Sequence, residues 1–511
     1  MPNTVFASID VGSNELAMKI YEISKKNEIK ELEYIRHTTE LGAQTYTKGN
    51  PDHDMIEELC TVLTHFTWKL KEYQIADFTV CATSAIREAK NQILILDQIK
   101  QRTGLKVKVL SNSEQRFLCY KALASKEEMF HKIIEKGTAI IDASAGSVQI
   151  TQYHQGMLVN TQNLRLGSLR IREILSSMEH QTLQYNHLIE DYIYNDLATY
   201  RHLFIKEHKI KRIVAFGDQL RDLIRLSKKI DFGKLISKEV FQSFYQSINK
   251  KTLEQLSREL SISKDQASLL LPTAMIYEKF LEITGAEELY FSDIILCDGL
   301  VADYVSKKNK SISSHSFEQD IISASRNIAK RYECVSEHST LVEYVALRLF
   351  DSMKKYHGLG KRERLLLQLA VILLNCGEYI NMNEVPLNSY RIVMSTEIIG
   401  ISHLERELVA NLVRHKTSDF PKYSRMLDGM DKDTYLTLSK LTAILRLANA
   451  MAKSHLKKFE DITISIKENH VLITADTLND ISLEQARFKG EADFFEEVYG
   501  IRPVLKQKRS N

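Results

Sequence analysis

The chain has 511 residues, a formal net charge of +3, 44% hydrophobic content and 26% charged content. These are ordinary globular values with length for roughly three or four domains, and so small a net charge gives no global reason to expect nucleic acid as a partner. Its six cysteines lie far apart with no C-x-x-C pair, which argues against a zinc site or a disulfide framework, and no apolar run approaches the ~18 residues of a membrane span.

Residues 4–37 read as two or three strands. They begin almost at the N-terminus, so no signal peptide is expected and a reducing cytoplasm is the default location. Within them Val5–Ile20 has the form apolar strand, aspartate, small-residue turn, strand: Asp10 ends the first strand and Gly12-Ser13-Asn14 make the turn. Asp54–Tyr73 has helical spacing, with Ile56, Leu59, Cys60, Leu63, Phe66 and Leu70 on one face. Asp77–Thr83 predicts a buried strand that runs into a helix at Ser84. Arg87 falls in that helix's first turn, near a strand's C-terminal end, where α/β folds bind ligands. Lys106–Leu110 predicts another strand, and Ser113-Glu114-Gln115 open a helix with Ser113 as its N-cap.

Ala139–Ile150, A-I-I-D-A-S-A-G-S-V-Q-I, repeats the form of the first hairpin around Asp142. A turn of alanine, serine and glycine lets backbone N–H groups approach a phosphate closely. Two such hairpins predict a duplicated α/β domain with a cleft between its halves. Leu158–Arg165 reads as a strand followed by Leu166-Gly167-Ser168, and Asn186–Lys206 as a long helix. Lys211–Phe216 is a buried strand ending in Gly217-Asp218, Lys238–Leu271 is helical, and Leu289–Leu296 is a strand before Asp298-Gly299. From about Ser311 only helices are predicted, with apolar stripes through Glu337–Tyr356, Arg362–Leu374, Leu404–His415 and Thr434–Leu456. Ser311–His315 is the best linker candidate. From Asp461 strands return as a hairpin around Glu468-Asn469, followed by a helix over Leu483–Tyr499. The resulting division is 1–125, 126–310, 311–460 and 461–511.

Four stretches carry a family resemblance: I-D-V-G-S-N (Ile9–Asn14), A-T-S-A-I-R-E-A-K-N (Ala82–Asn91), I-I-D-A-S-A-G-S (Ile140–Ser147) and R-L-G-S-L-R (Arg165–Arg170). In order and spacing the chain resembles the Ppx/GppA family of exopolyphosphatases and guanosine pentaphosphate phosphohydrolases. The similarity continues through D-G-L (Asp298–Leu300), the helical region and the last strands. The resemblance implies the actin/Hsp70/sugar-kinase superfold: two ribonuclease-H-like α/β domains, then an HD-like all-α domain and a small α/β tail. It implies a cleft for polyphosphate or guanosine penta- or tetraphosphate that uses Mg2+, with no DNA and no membrane as partners and a homodimer allowed. By position, Gly12, Ser13 and Asn14 would form the first phosphate loop and Gly146 and Ser147 the second. Arg87 would hold a phosphate by a forked contact. Asp10, Asp142 and the residue at 149 would hold the metal.

The chain departs from the family pattern where the chemistry would be done. The second loop of the family resembles D-I-G-G-G-S-T-E, and Gln149 stands in place of its glutamate. The family pattern S-G-x-E-E-A, whose second glutamate serves as base for water attack, puts Gln115 at that position. A shift of one residue would put Glu114 there instead, but the flanking residues favour Gln115. The third loop reads F-G-D-Q-L-R, and Asp218 in it would repel a phosphate. A carboxamide has nearly the shape of a carboxylate but cannot take a proton from water, and loss of a general base typically costs about 10²–10⁴ in rate. Loss of a carboxylate ligand also weakens magnesium. In the helical domain, Leu374-Asn375 and Asn449 stand where the HD pattern has a histidine–acid pair and an aspartate, with His338 and His415 remaining. The expectation is therefore a family fold with weak or lost hydrolysis, a pseudoenzyme, or else a non-catalytic sensor or scaffold, with a metal-free helical domain.

Overall fold

A computed structural model describes residues 3–508 except 127–129, 180, 183, 206–208, 228, 309–314, 335–336, 418, 426–429, 455–457, 460 and 468–469. The chain forms two units, Met1–Phe317 and Glu318–Asn511. The linker expected at Ser311–His315 lies, up to residue 314, outside the described residues.

In the first unit the first hairpin seeds a five-stranded sheet. Its strands are β1 (Thr4–Val11), β2 (Glu15–Ile23), β3 (Ile29–Thr38), β4 (Asp77–Ala82) and β5 (Lys108–Val109), in the order β3-β2-β1-β4-β5. The second hairpin seeds a six-stranded sheet of β6 (Thr138–Ala143), β7 (Val148–His154), β8 (Met157–Leu164), β9 (Arg212–Phe216), β10 (Leu235–Ser237) and β11 (Glu288–Phe291), ordered β10-β11-β9-β6-β7-β8. In each sheet the first strand runs antiparallel to the second and parallel to its other neighbour. The register sets Asp10 opposite Ala17 and Asp142 opposite Gln149, so the two aspartates occupy matching places at the turn ends of matching hairpins.

Both faces of β1 are covered, which is why it reads as a nearly continuous apolar run. Ala7, Ile9 and Val11 share a core with Ile56, Leu59, Leu63 and Phe66. Phe6 faces the other way, against Tyr21, Ile23, Val301 and Val305. The last two belong to the helix Leu296–Lys308, which thus returns to the first sheet. The helices that position the pocket are α1 (Leu41–Lys48), α2 (His53–Glu72), α3 (Ser84–Glu88), α4 (Gln92–Thr103), α5 (Asn112–Lys126), α6 (Phe130–Glu135) and α7 (Ser168–Leu175).

Three local readings change. Ser113 lies inside α5 rather than at its cap. The cap is Ser111, whose Oγ accepts from Glu114 N (3.2 Å) while Glu114 Oε2 accepts from Ser111 N (3.1 Å), a reciprocal capping box. The segment Lys238–Leu271 is not one helix: capping boxes at Thr252/Gln255 and Ser263/Gln266, with Ser261 left-handed at φ 57, divide it. The strand read over Leu289–Leu296 ends at Phe291, because Asp298 accepts from Ile295 N (2.9 Å) and starts the next helix.

The second unit is helical over Glu337–Ser352, Lys361–Ile372, Val385–Ser395, His403–Arg414 and Lys432–Met451, and the expected stripes meet inside it, with Val342, Leu369, Leu412 and Ile444 fully buried. It ends in a sheet of β12 (Asp461–Lys467), β13 (His470–Asp476) and β14 (Arg502–Lys508), with the helix Ser482–Tyr499 leading into the last strand. Glu468 and Asn469, the turn of its hairpin, lie outside the described residues. Among the described residues no helix is long and apolar enough to cross a membrane.

Candidate functional site

The two hairpin turns and the loop after β9 converge on one pocket of about 20 Å³, room for roughly one water molecule. Asp10, Gly12 and Ser13 enter from the first hairpin. Asp142, Gly146 and Ser147 enter from the second, Asp218 from the third loop, and Gln115 from the first turn of α5. The first turn is closed by Gly12 N donating to Glu15 O (3.0 Å), the second by Ser144 N donating to Ser147 O (3.1 Å).

The electrostatics are lopsided, since the pocket's lining holds three aspartates and no lysine or arginine. Burial pushes Asp10 well above the usual carboxylate range, and the charges of Asp218, Glu15 and Asp142 push it further. One of its oxygens, Oδ1, is buried without a hydrogen-bond partner. Asp142 is pushed up to about 7 by burial and by Asp218, against the opposing pull of the Ser144 hydroxyl and Arg116. The Ser144 Oγ donates to Asp142 Oδ1 at 2.7 Å. Burial pushes Asp218 up to about 6, although its carboxylate accepts a hydrogen bond from the backbone N–H of Ala145. An orphaned carboxylate oxygen among three buried acids suits a hard cation better than an unaccompanied phosphate. Even so, among the described residues no group of three or more His, Cys, Asp or Glu side chains is placed to hold a metal ion.

Four residues expected at the site do not line the pocket. Arg87, expected at a phosphate, donates through Nη1 to Leu110 O (2.7 Å) and through Nη2 to Asn112 Oδ1, and so clamps the loop that opens α5. Glu114 is held by its capping box and by Lys108 Nζ at 2.7 Å, so Gln115 is the side chain that α5 turns inward. Gln149 points away: its Oε1 accepts from Arg116 Nε at 3.2 Å. Arg116 is fully buried and also donates to Gln162 O at 3.1 Å. Asn14 contributes its backbone carbonyl, which accepts from Thr39 N at 3.0 Å.

Other residues at the site were not singled out in the sequence. The Tyr46 hydroxyl, from α1, lies 2.7 Å from Ser13 Oγ and 2.9 Å from Ser84 Oγ. Arg170, in the first turn of α7, donates from Nε to Gly146 O (2.8 Å) and from Nη2 to both carboxylate oxygens of Glu88 (2.9 Å each). Its guanidinium lies 3.9 Å from the Tyr46 ring centroid. Arg170 and Glu88 do fall within two of the quoted motifs, whereas nothing local marks Tyr46.

In the second unit His338 and His415 are both buried. Burial, with Arg414 and Arg446 nearby, holds His415 down to about 4. The buried Lys416 ammonium donates to Leu374 O (2.9 Å) and to Asn375 Oδ1.

Paired hairpins facing a small acidic pocket in mixed sheets define an actin-like α/β protein. Residues 20–308 match the Ppx/GppA phosphatase family and residues 322–491 match domain III of the Ppx/GppA phosphatases; the chain belongs to this family. A bifunctional 3-dehydroquinate synthase/phosphatase of Fusobacterium nucleatum subsp. nucleatum is 21% identical over 60% of this chain, which spans about half (47%) of that relative's length. A guanosine-5'-triphosphate,3'-diphosphate pyrophosphatase of Photobacterium profundum is 20% identical over 94% of this chain and 95% of its own. Among solved structures, an exopolyphosphatase from Cytophaga hutchinsonii gives a TM-score of 0.53 at 16% identity, covering 60% of this chain and 98% of that one. A Ppx/GppA family member from Aquifex aeolicus gives 0.50 at 23% identity, covering 61% and 100%. At these identities the structural likeness speaks for the fold alone.

Proposed function

We propose that the chain binds a phosphate-anhydride chain, polyphosphate or pppGpp, at this pocket and hydrolyses it weakly or not at all. One observation carries the reading: where the family pattern has its base, α5 presents the amide of Gln115 to the pocket, while Glu114 is engaged with Ser111 and Lys108. An amide cannot accept the proton of an attacking water, a loss of about 10²–10⁴ in rate. The ligand class rests on family membership and on the substrate in the Photobacterium relative's name.

Gly12, Ser13, Gly146 and Ser147 would contact phosphate oxygens from the two turns. Asp10 and Asp142 would hold Mg2+, with phosphate oxygens and water rather than Gln149 completing its shell. Bound magnesium would supply the positive charge that the lining lacks. The helical part of the second unit is read as an HD-like domain without metal chemistry. There Lys416 places its own ammonium against Leu374 O and Asn375 Oδ1, where the HD pattern has a histidine–acid pair.

The test is phosphate release from polyphosphate and from pppGpp with Mg2+, run beside calorimetric binding of the same ligands. Binding with little release is expected. Vigorous magnesium-dependent release by the unmodified chain would overturn the reading.

A further inference from the structure

We propose that Arg170 is the cation that receives a phosphate of the bound chain, and that Glu88 and Tyr46 occupy its binding faces until the anion displaces them. The inference rests on the functional reading above and names the contact that makes binding work. The pocket has three carboxylates, no cation, and space for about one water. A polyanion therefore needs a cation of the chain itself, beside the charge that magnesium would supply, and it needs room, and both must come from the rim.

Arg170 meets the first need. Its Nε is fixed on Gly146 O of the second turn, which holds the guanidinium against a residue that lines the pocket. Its outer edge holds Glu88, both of whose oxygens lie 2.9 Å from Nη2. The arginine side chain is 9% exposed, so this is a largely desolvated pair between the two halves of the first unit. A guanidinium recognises carboxylate and phosphate oxygens alike, and Glu88, with both oxygens on Nη2, is thus an internal stand-in for a phosphate.

Tyr46 meets the second need. Its hydroxyl bridges Ser13 and Ser84, and a Cβ built on Gly146 would lie only 2.1 Å from it. It therefore fills the gap between the two turns, and Arg170 lies over its ring. Exchange of Glu88 for a phosphate releases the guanidinium, and withdrawal of Tyr46 frees the Ser13 and Ser84 hydroxyls. A ligand must outcompete a carboxylate held in place, so a long polyanion is favoured over a single orthophosphate.

The experiment is calorimetric titration of the full chain with long-chain polyphosphate in Mg2+, with thermal melts confirming that each variant folds. Glu88→Gln should tighten binding about tenfold, and Arg170→Ala should weaken it about tenfold to a hundredfold, as for hydrogen bonds to charged groups. Arg170→Lys, which keeps charge without the fork, should fall between wild type and alanine and serves if the alanine variant does not fold. The double change Glu88→Gln with Arg170→Ala should bind like Arg170→Ala alone. A purely structural ion pair predicts instead that Glu88→Gln and Arg170→Ala weaken binding alike, and that result overturns the proposal. Wild-type binding untouched by either Arg170 variant overturns it while leaving the functional reading intact. No binding by any form, Glu88→Gln included, overturns both.

Discussion

The two hairpins of the first unit share one topology and differ in how their polar groups are satisfied. In the first, Asp10 keeps a buried oxygen without a partner, and the loop hydroxyl of Ser13 is held by Tyr46 and Ser84. In the second, Asp142 accepts from Ser144, the N–H of Ala145 goes to Asp218, and the carbonyl of Gly146 goes to Arg170. Matching strands thus place matching aspartates. Side chains arriving from β9's loop and from α7 decide that one turn still lacks a partner and the other is complete. A duplicated backbone does not duplicate chemistry when the neighbours differ.

The largest expected effect comes from returning acids to the second hairpin's side of the pocket. Gln115→Glu with Gln149→Glu should remain weak, because Arg116, already on Gln149 Oε1, would capture the new carboxylate as an ion pair. Adding Arg116→Ala, the residue of the family pattern S-G-x-E-E-A, should raise magnesium-dependent phosphate release by about 10²–10⁴. A full gain without the arginine change would show that the contact does not restrain residue 149.

The next effect separates the aspartates by pH. Asp10, Asp142 and Asp218 all hold their protons more tightly in the folded chain than their ordinary carboxylate value allows. The folded state therefore binds more protons than the unfolded one between 3.8 and about 7, and stability falls as pH rises through that window. Asp142 alone corresponds to roughly 4 kcal/mol at most. Thermal melts from pH 5 to 8 should show the decline, and Mg2+ should restore stability at the upper end if it binds there. Asp10→Asn should flatten the profile more than Asp142→Asn, because Ser144 already supports the charged form of Asp142. An equal effect would erase the distinction between the hairpins.

The same substitution in both turns gives a smaller contrast. A Cβ at Gly12 would lie 2.6 Å from the backbone oxygen of Glu15, whereas at Gly146 it meets the hydroxyl ends of Tyr46 and Ser84. Gly12→Ala should cost about 1–3 kcal/mol of stability by overpacking against backbone. Gly146→Ala should cost less, because those side chains can swing aside. Chemical denaturation of the two variants checks the order. The smallest effect is expected from Ser111→Ala, about 1 kcal/mol for a lost cap. It removes the acceptor of the Glu114 N–H but keeps the Ser111 N–H that holds the Glu114 carboxylate, so hydrolysis should stay unchanged in that variant.

Much of this was legible along the chain. Strand–aspartate–turn–strand patterns marked both hairpins, because burial on two faces leaves continuous apolar runs that end at a polar residue. The choice of Gln115 over Glu114 was also written locally, since Ser111-Asn112-Ser113-Glu114 has the spacing of a capping box that engages its own glutamate. Thr252/Gln255 and Ser263/Gln266 likewise carried the breaks that divide Lys238–Leu271. Arg87 stands at the strand end where the spacing puts it, and its guanidinium is engaged by Leu110 O and Asn112 Oδ1, a contact across 23 to 25 residues that local spacing does not show. Tyr46 on Ser13 follows from the way α1 packs on the first turn, and Arg170 on Glu88 from the way the halves of the first unit close. Short-range spacing does not encode that closure.

The contact between Arg116 and Gln149 also bears on the order in which these two residues can be changed. With arginine at 116, a glutamate placed at 149 is neutralised on arrival. With glutamine at 149, replacing the arginine first leaves a hole in a fully buried place and a carbonyl at Gln162 short of a donor. Either single change is therefore neutralised or harmful, so the two positions act as one unit and only a paired replacement can alter the charge at 149.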